Sequence, residues 1–151
     1  MKIEYRKIDQ SNASEMRFIA EIDSKIPLQF DPDYKWNEKS IGDRLNYFKR
    51  MKSDDFFEVA LSENKIVGFH LVHKFPYPPD LQAGMIATLW VDEGFRGKGI
   101  GSELKKRGEM WAKENKLPFL QTGVHLKNIA MLEINKQSGF EIISYNLRKK
   151  L

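Results

Sequence analysis

Ile3 and Tyr5 alternate with Glu4 and Arg6 over Lys2–Ile8, a period of two that predicts a strand. Asn12-Ala13-Ser14-Glu15 then has the form of a capping box, in which side chains satisfy the free N–H groups of a helix start. Phe18, Ile19 and Ile22 would give that helix its apolar face. Ser24–Trp36 is broken by Pro27 and Pro32 and reads as a loop, after which Ile41, Leu45 and Phe48 return at helical spacing. Phe56–Leu61, a turn at Glu63-Asn64 and Lys65–His73 form a predicted β-hairpin. Phe75–Asp80 holds three prolines, which remove ladder donors, so the strand is expected to stop there. Met85–Val91 reads as a buried strand running straight into a glycine-rich loop. Ile100, Leu104, Gly108, Trp111 and Asn115 fall on one face of the helix after it, with Gly108 as a close-packing position. Phe119–Val124 is a further strand, Ile129–Gln137 a helix, Gly139 its stop, and a final strand is expected from Phe140. The order is β-α-α-β-β-β-α-β-α-β, an α/β (α+β) chain with a mixed sheet flanked by helices.

Composition narrows the class. At 151 residues, 41% hydrophobic and 30% charged, the chain suits one globular domain spanning 1–151. No apolar run approaches the roughly 18 residues of a membrane span, and the first residues lack the apolar segment of a secretory signal. With no cysteine there is no disulfide framework, thiol nucleophile or thiolate metal site, and no metal cluster is visible. These features point to the cytoplasm. The net charge of +4 is spread along the chain, and only Lys105-Lys106-Arg107 and Arg148-Lys149-Lys150 form short basic runs. Without an arginine-rich arm or interleaved aromatic–basic motif, no nucleic-acid partner is expected.

The stretch Phe95–Leu104, FRGKGIGSEL, carries the chemistry. Walker A fails, because Asp92 stands where its first glycine belongs and Gly97-Lys98 is followed by Gly99. The dinucleotide fingerprint fails too, because the glycines close one residue early. Arg96-Gly97-Lys98-Gly99-Ile100-Gly101 instead fits Arg/Gln-x-x-Gly-x-Gly/Ala between a strand and a helix. Glycines there let successive N–H groups converge on a pyrophosphate, and the helix start adds its positive dipole end. Arg96 and Lys98 add charge, and Ser102 a hydroxyl.

With Asn128-Ile129-Ala130-Met131 running through Ser138-Gly139-Phe140 downstream, and Val59-Ala60 to Gly68-Phe69 upstream, the chain resembles the GCN5-related N-acetyltransferase (GNAT) superfamily over nearly its whole length. The resemblance implies a mostly antiparallel central sheet and acetyl-CoA as acetyl donor. It implies that pantetheine pairs with the backbone of Leu89, Trp90 and Val91, and that pyrophosphate sits over Arg96, Gly97, Lys98, Gly99, Ile100, Gly101 and Ser102. Asn128 would contact the cofactor arm, with Met131 and Asn135 on the same helix. Many members carry a tyrosine, where Asn135 stands, to protonate the departing thiolate; Asn135 can donate a hydrogen bond but is no acid near neutral pH. Some members place a glutamate where this chain has Gly123.

The catalytic residues therefore stay unassigned, with His70, His73, His125, Glu58 and Asp92 as candidates for the base. The expected activity is transfer of acetyl to a primary amine, on a small molecule or a protein, by direct attack in a ternary complex. The alternative is a catalytically weak acyl-CoA-binding sensor or scaffold. The acceptor would be selected by Ser24–Trp36 and Phe75–Gly84, where aromatics can pack an acceptor or the core, and Asp31, Asp33 and Asp80 can attract a cation. Whether the chain acts alone or as a homodimer is left open.

Overall fold

The computed structural model describes residues 1–151. Five strands lie in chain order across one sheet: β1 (Glu4–Lys7), β2 (Phe56–Ser62), β3 (Lys65–Tyr77), β4 (Leu81–Val91) and β5 (Leu120–Thr122). The first four pair antiparallel and β5 joins β4 in parallel. The helices are α1 (Ala13–Lys25), α2 (Glu38–Lys49), α3 (Ile100–Glu114) and α4 (Ile129–Gln137). A short 3-10 turn, Ile26–Gln29, leads out of α1, and another, Glu93–Phe95, lies between β4 and α3.

Three of the four helices, α1, α2 and α4, start where an asparagine supplies a side-chain cap. Asn12 accepts from the Glu15 N–H, but the Glu15 carboxylate reaches Arg6 at 2.9 Å, so only half of the expected capping box forms there. Asn37 and Ser40 complete a true box on α2. Glu63 and Asn64 both take positive φ, as the two-residue β2–β3 turn requires.

The core has two parts, one on each face of the sheet. Between the sheet and α1/α2 lie Ile19, Ile41, Phe48, Val59, Phe69 and Leu71, all essentially without exposure. Each such side chain contributes on the order of 1.5–3 kcal/mol by burial. On the other face Ile100 and Leu104 of α3 pack on Ala60 and Val67, with Leu89 and Val91 beside them. Gly108 is a contact point of α3 with the sheet. A Cβ there would stand 2.8 Å from Nε2 of the buried His70 ring, so α3 approaches β3 only because the side chain is missing. Phe18, expected on the apolar face of α1, is exposed, and Met16, Ile19, Ala20 and Asp23 form the buried row instead.

Two further expectations are corrected. The prolines do not end β3, which pairs with β4 as far as Tyr77 opposite Leu81. The Lys74 N–H turns away from β4 to Asp55 Oδ1 at 3.0 Å, and Pro76, two residues on, faces the same side. β2 ends its pairing at Phe56 opposite Val72, so no strand lies there to need the missing donor. The final strand from Phe140 does not form. Gly139 ends α4 at φ +90°, Phe140 N–H returns to Asn135 O, and the following residues run without regular structure, with Ile143, Tyr145 and Leu147 exposed. The tail ends on the α1–α2 loop, where Arg148 bonds both carboxylate oxygens of Asp31 (3.2 and 3.3 Å) and Lys150 bonds Asp33 (3.1 Å). No helix is long and apolar enough to cross a membrane.

Candidate active site

β4 and β5 pair only over Gly84–Ile86 and Leu120–Thr122, then part. The parting coincides with a bulge. Leu71 pairs with Thr88 and Val72 with Ile86, leaving Ala87 unpaired and exposed. Beyond it, the Asp92 N–H bonds Val67 O on β3, and antiparallel alternation gives Trp90 the same orientation. Leu89 and Val91 therefore turn their N–H and C=O to the open side of β4. Of the three residues expected along the cofactor, Trp90 differs: its ring stacks on Phe69 at 5.3 Å in the α1/α2 core.

The open strand edge leads into the glycine loop. Gly97 and Gly99 take φ of +73° and +82°, a region that L-residues with a Cβ enter only under strain. Nothing lies within 4 Å of a Cβ built on either. Gly99 begins α3 with no side-chain cap, and the N–H groups of Gly97 through Ser102 find no acceptor among the turn, loop and capping bonds. This is an open row of donors at the positive end of a 15-residue helix, the arrangement that a pyrophosphate requires. The local cations are folded back on the backbone: Arg96 Nε donates to Val91 O (3.1 Å) and Lys98 Nζ to Gly94 O (3.1 Å). Ile100 is buried and can offer only its N–H, whereas Ser102 is exposed. On the far side Asn128 caps α4 by accepting from the Met131 N–H at 3.3 Å, and Met131 is half-buried. Asn135 is buried, and its Oδ1 accepts from Lys105 Nζ of α3 at 3.2 Å.

Each of the five candidate bases has another task. His70 lies inside the sheet–α3 packing, donates through Nδ1 to Thr88 O at 2.9 Å, and is held neutral. Burial drives its pKa from 6.5 to about 4, helped by the charge of Lys105 and opposed by the bond to Thr88. His73 packs edge-on to Tyr47. His125 stacks on Phe30 at 5.6 Å and accepts the Lys127 N–H at Nδ1, which leaves Nε2 as the ring's N–H donor. Glu58 is paired with Arg107, and Asp92 caps the 3-10 turn through the Gly94 N–H.

Sequence reading missed a buried polar group on the α1/α2 side of the bulge. Thr88 Oγ1 donates to Asp23 Oδ1, and Arg44 pairs with the other carboxylate oxygen. The Arg44 guanidinium lies over the Tyr47 ring at 4.5 Å, with its Nε buried and unpartnered. The available signal was an acid four residues after Ile19, on the apolar row of α1. The acceptor-side loop is pinned to the end of α1 by Tyr34 Oη on Ser24 O (2.8 Å) and Trp36 Nε1 on Ser24 Oγ (2.9 Å). Phe75 and Tyr77 pack on Phe119. Of the five aromatics expected near an acceptor, Tyr34, Trp36, Phe75 and Tyr77 thus hold the fold together, and Phe30 faces His125.

A strand edge opened by a bulge leads into a helix headed by a bare glycine loop, the arrangement that the sequence resemblance implies for an acyl-CoA-dependent transferase. The sequence signature of the Acetyltransferase (GNAT) family matches residues 12–140, and the chain belongs to that family. It is an acyltransferase whose donor is acetyl-CoA. A predicted acetyltransferase from Clostridium acetobutylicum, solved with acetyl-CoA, matches with a TM-score of 0.77 at 19% identity, covering 99% of this chain and 96% of that one. A transcriptional regulator from Bacillus halodurans C-125 matches equally in TM-score and identity, over 99% and 100% of the two chains. An aminoglycoside acetyltransferase from an uncultured soil metagenomic sample, in complex with sisomicin, matches with a TM-score of 0.68 at 18% identity over 99% and 96%. At these identities the likeness is one of fold. No curated protein matches the sequence.

Proposed function

We propose that the whole chain acts as one unit that transfers acetyl from acetyl-CoA to a primary amine by direct attack in a ternary complex. The observation that carries this reading is the continuous open surface from Ala87 along Leu89 and Val91 to the free N–H groups of Gly97–Ser102. Leu89 and Val91 would hold the pantetheine amides as an added strand would, the glycine loop the pyrophosphate, and Asn128 and Met131 the arm from the other wall. Arg96 and Lys98 must leave Val91 O and Gly94 O to reach a phosphate. A chain without cysteine has no thiol for an acetyl-enzyme, which favours direct attack. An acetyl-CoA turnover assay over a panel of amines, read as free thiol, tests the proposal: acetylated amine is expected, and slow hydrolysis alone with every amine would overturn it.

Acceptor selection is assigned to the α1–α2 loop and the tail bound to it. Asp31, held below the usual carboxylate range mainly by its bond to Arg148, stays charged there, and an amine reaching the loop meets Phe30, His125 and the tail cations together. Replacing residues 28–33 while keeping the Ser24–Tyr34–Trp36 anchor is expected to change the KM for the acceptor several-fold and leave the acetyl-CoA Kd unchanged. A change confined to the cofactor Kd would show the assignment to be wrong.

The CoA thiolate is a fair leaving group, with a thiol pKa of about 8.5–10 by analogy with cysteine. Asn135 can only hydrogen-bond, so Asn135→Ala is expected to lower kcat by less than roughly 10²-fold, below the range of a positioned acid. The check is kcat at saturating acetyl-CoA, and a larger loss with cofactor affinity intact would contradict it.

A further inference from the structure

We propose that Lys105 stabilises and protonates the leaving thiolate, a role that builds on the acetyl-transfer reading above. β4 and β5 are parallel, so α3, which connects them, runs back antiparallel to β4 from the glycine loop. Lys105 lies six residues beyond Gly99, about 9 Å down the helix at 1.5 Å per residue. Counting back along β4 at about 3.3 Å per residue, that depth corresponds to Leu89 and Thr88, just above the bulge at Ala87. Its neighbours agree with this level. Gly101, four residues before Lys105, faces Val91, and Gly108, three residues after it, lies against the ring of His70, which pairs with Leu89 and bonds Thr88 O.

The ammonium spans α3 and α4, the two helices whose N-termini flank the groove. It donates to Asn135 Oδ1 at 3.2 Å and approaches Ser138 Oγ at 3.4 Å, with the Phe140 ring 5.5 Å away. Both partners are neutral acceptors, so they orient the ammonium without neutralising it, and one of its three N–H groups remains. No carboxylate lies within ion-pair distance of it. Around it stand Glu109 on its own helix, His70 on β3, Asn135 on α4 and Ser138 at the C-cap of α4. Burial lowers its pKa from the ordinary lysine value and Glu109 partly opposes this. The group is thus a better acid than a solvated lysine.

As the C–S bond breaks, the bond pair moves onto sulfur and Lys105 gives it the proton from Nζ. The neutral amine regains a proton from solvent, which receives the one shed by the acceptor nitrogen, and the step balances. Asn135, standing where an ionisable acid is often found, serves as the holder of that acid.

The deciding titration needs no acceptor. CoA itself is titrated in complex with the protein, following the thiolate by its ultraviolet absorbance. In the wild type the bound thiol is expected to titrate about one unit or more below free CoA, as an ammonium a few ångströms away at an effective dielectric near 20 implies. In Lys105→Met the shift is expected to vanish while CoA affinity and Tm stay close to wild type. Lys105→Arg keeps the charge and should keep the shift, but kcat should drop by about 10²-fold and lose the fall at alkaline pH that marks deprotonation of Lys105. Should Met disturb the docking of α4, Lys105→Gln retains a hydrogen bond to Asn135 and serves the same comparison. Identical thiol titrations in wild type and both neutral variants would overturn the proposal. If CoA does not bind the wild type at all, the acetyl-transfer reading falls with it; if CoA binds and no shift is seen, only the role of Lys105 falls.

Discussion

Gly99→Val is expected to weaken acetyl-CoA binding by roughly ten- to a hundredfold, about 1.4–2.8 kcal/mol, in a protein that still folds. Gly99 stands at φ +82° as the N-cap of α3. A β-branched residue held there costs on the order of 1–2 kcal/mol or more in backbone strain. No atom lies within 4 Å of the new Cβ, so nothing in the core resists the substitution. The loop is left with two outcomes. It keeps its shape under strain and places valine methyl groups in front of the N–H row, or it relaxes and disperses the donors. Either one disrupts the pyrophosphate cradle and leaves the sheet intact. Arg96→Ala should cost only several-fold, since it removes one exposed charge and also frees Val91 O from the bond that Arg96 makes to it. Calorimetry with acetyl-CoA decides the matter: an unchanged Kd in a folded Gly99→Val protein would show that the loop is not the cradle.

The same loop explains why part of this molecule could be read from its sequence. Gly97, Gly99 and Gly139 sit where positive φ is needed, Asn12, Asn37 and Asn128 where a helix needs a cap, and these demands are local. The bounds of α4 follow from its cap and its glycine alone. Features set by distant parts of the chain were not legible. Pro76 stops a strand flanked on both sides, but nothing local reveals that β2 ends before it. The tail from Phe140 carries apolar residues at strand spacing, yet a strand exists only with a partner edge. The tail ends on Asp31 and Asp33 instead, 117 residues back.

The candidate site divides the same way. The open row of N–H donors in the glycine loop is a property of six consecutive residues, so its sequence is its signature. The Asp23–Thr88–Arg44 group joins α1, β4 and α2, and Lys105–Asn135 joins α3 and α4. Neither arrangement has a spacing to recognise. The histidines show the converse. Their intrinsic pKa made three of them candidates for proton transfer, but only the fold reveals that the His70 ring fills the space left by the missing side chain of Gly108, and that His125 presents a donor.

That buried ring gives stability a pH dependence of its own. In the folded protein the pKa of His70 lies at about 4, against 6.5 for an ordinary histidine. Above pH 6.5 the ring is neutral in both states and its packing contributes fully. Below 6.5 the unfolded chain binds a proton that the folded chain refuses, so stability falls as pH falls, down to about pH 4, where the folded ring also titrates. Integrated over that window, a shift of this size is roughly 3 kcal/mol, or about 6–12 °C in Tm for a chain of this length. The carboxylates depressed by partners, among them Asp31 and Asp54, lose their contribution lower, as pH falls toward their folded values, and overlap only with the acid end of the window. His70→Gln isolates the ring, because it keeps an N–H for Thr88 O and does not titrate. At pH 7 the variant should be the less stable protein, through the packing it loses against Phe56 and Gly108. Toward pH 4 the two Tm curves should converge, because only the wild type loses the histidine contribution. Parallel curves from pH 7 to pH 4 would mean that His70 titrates near its ordinary value, and that α3 does not seal the ring from water as this packing requires.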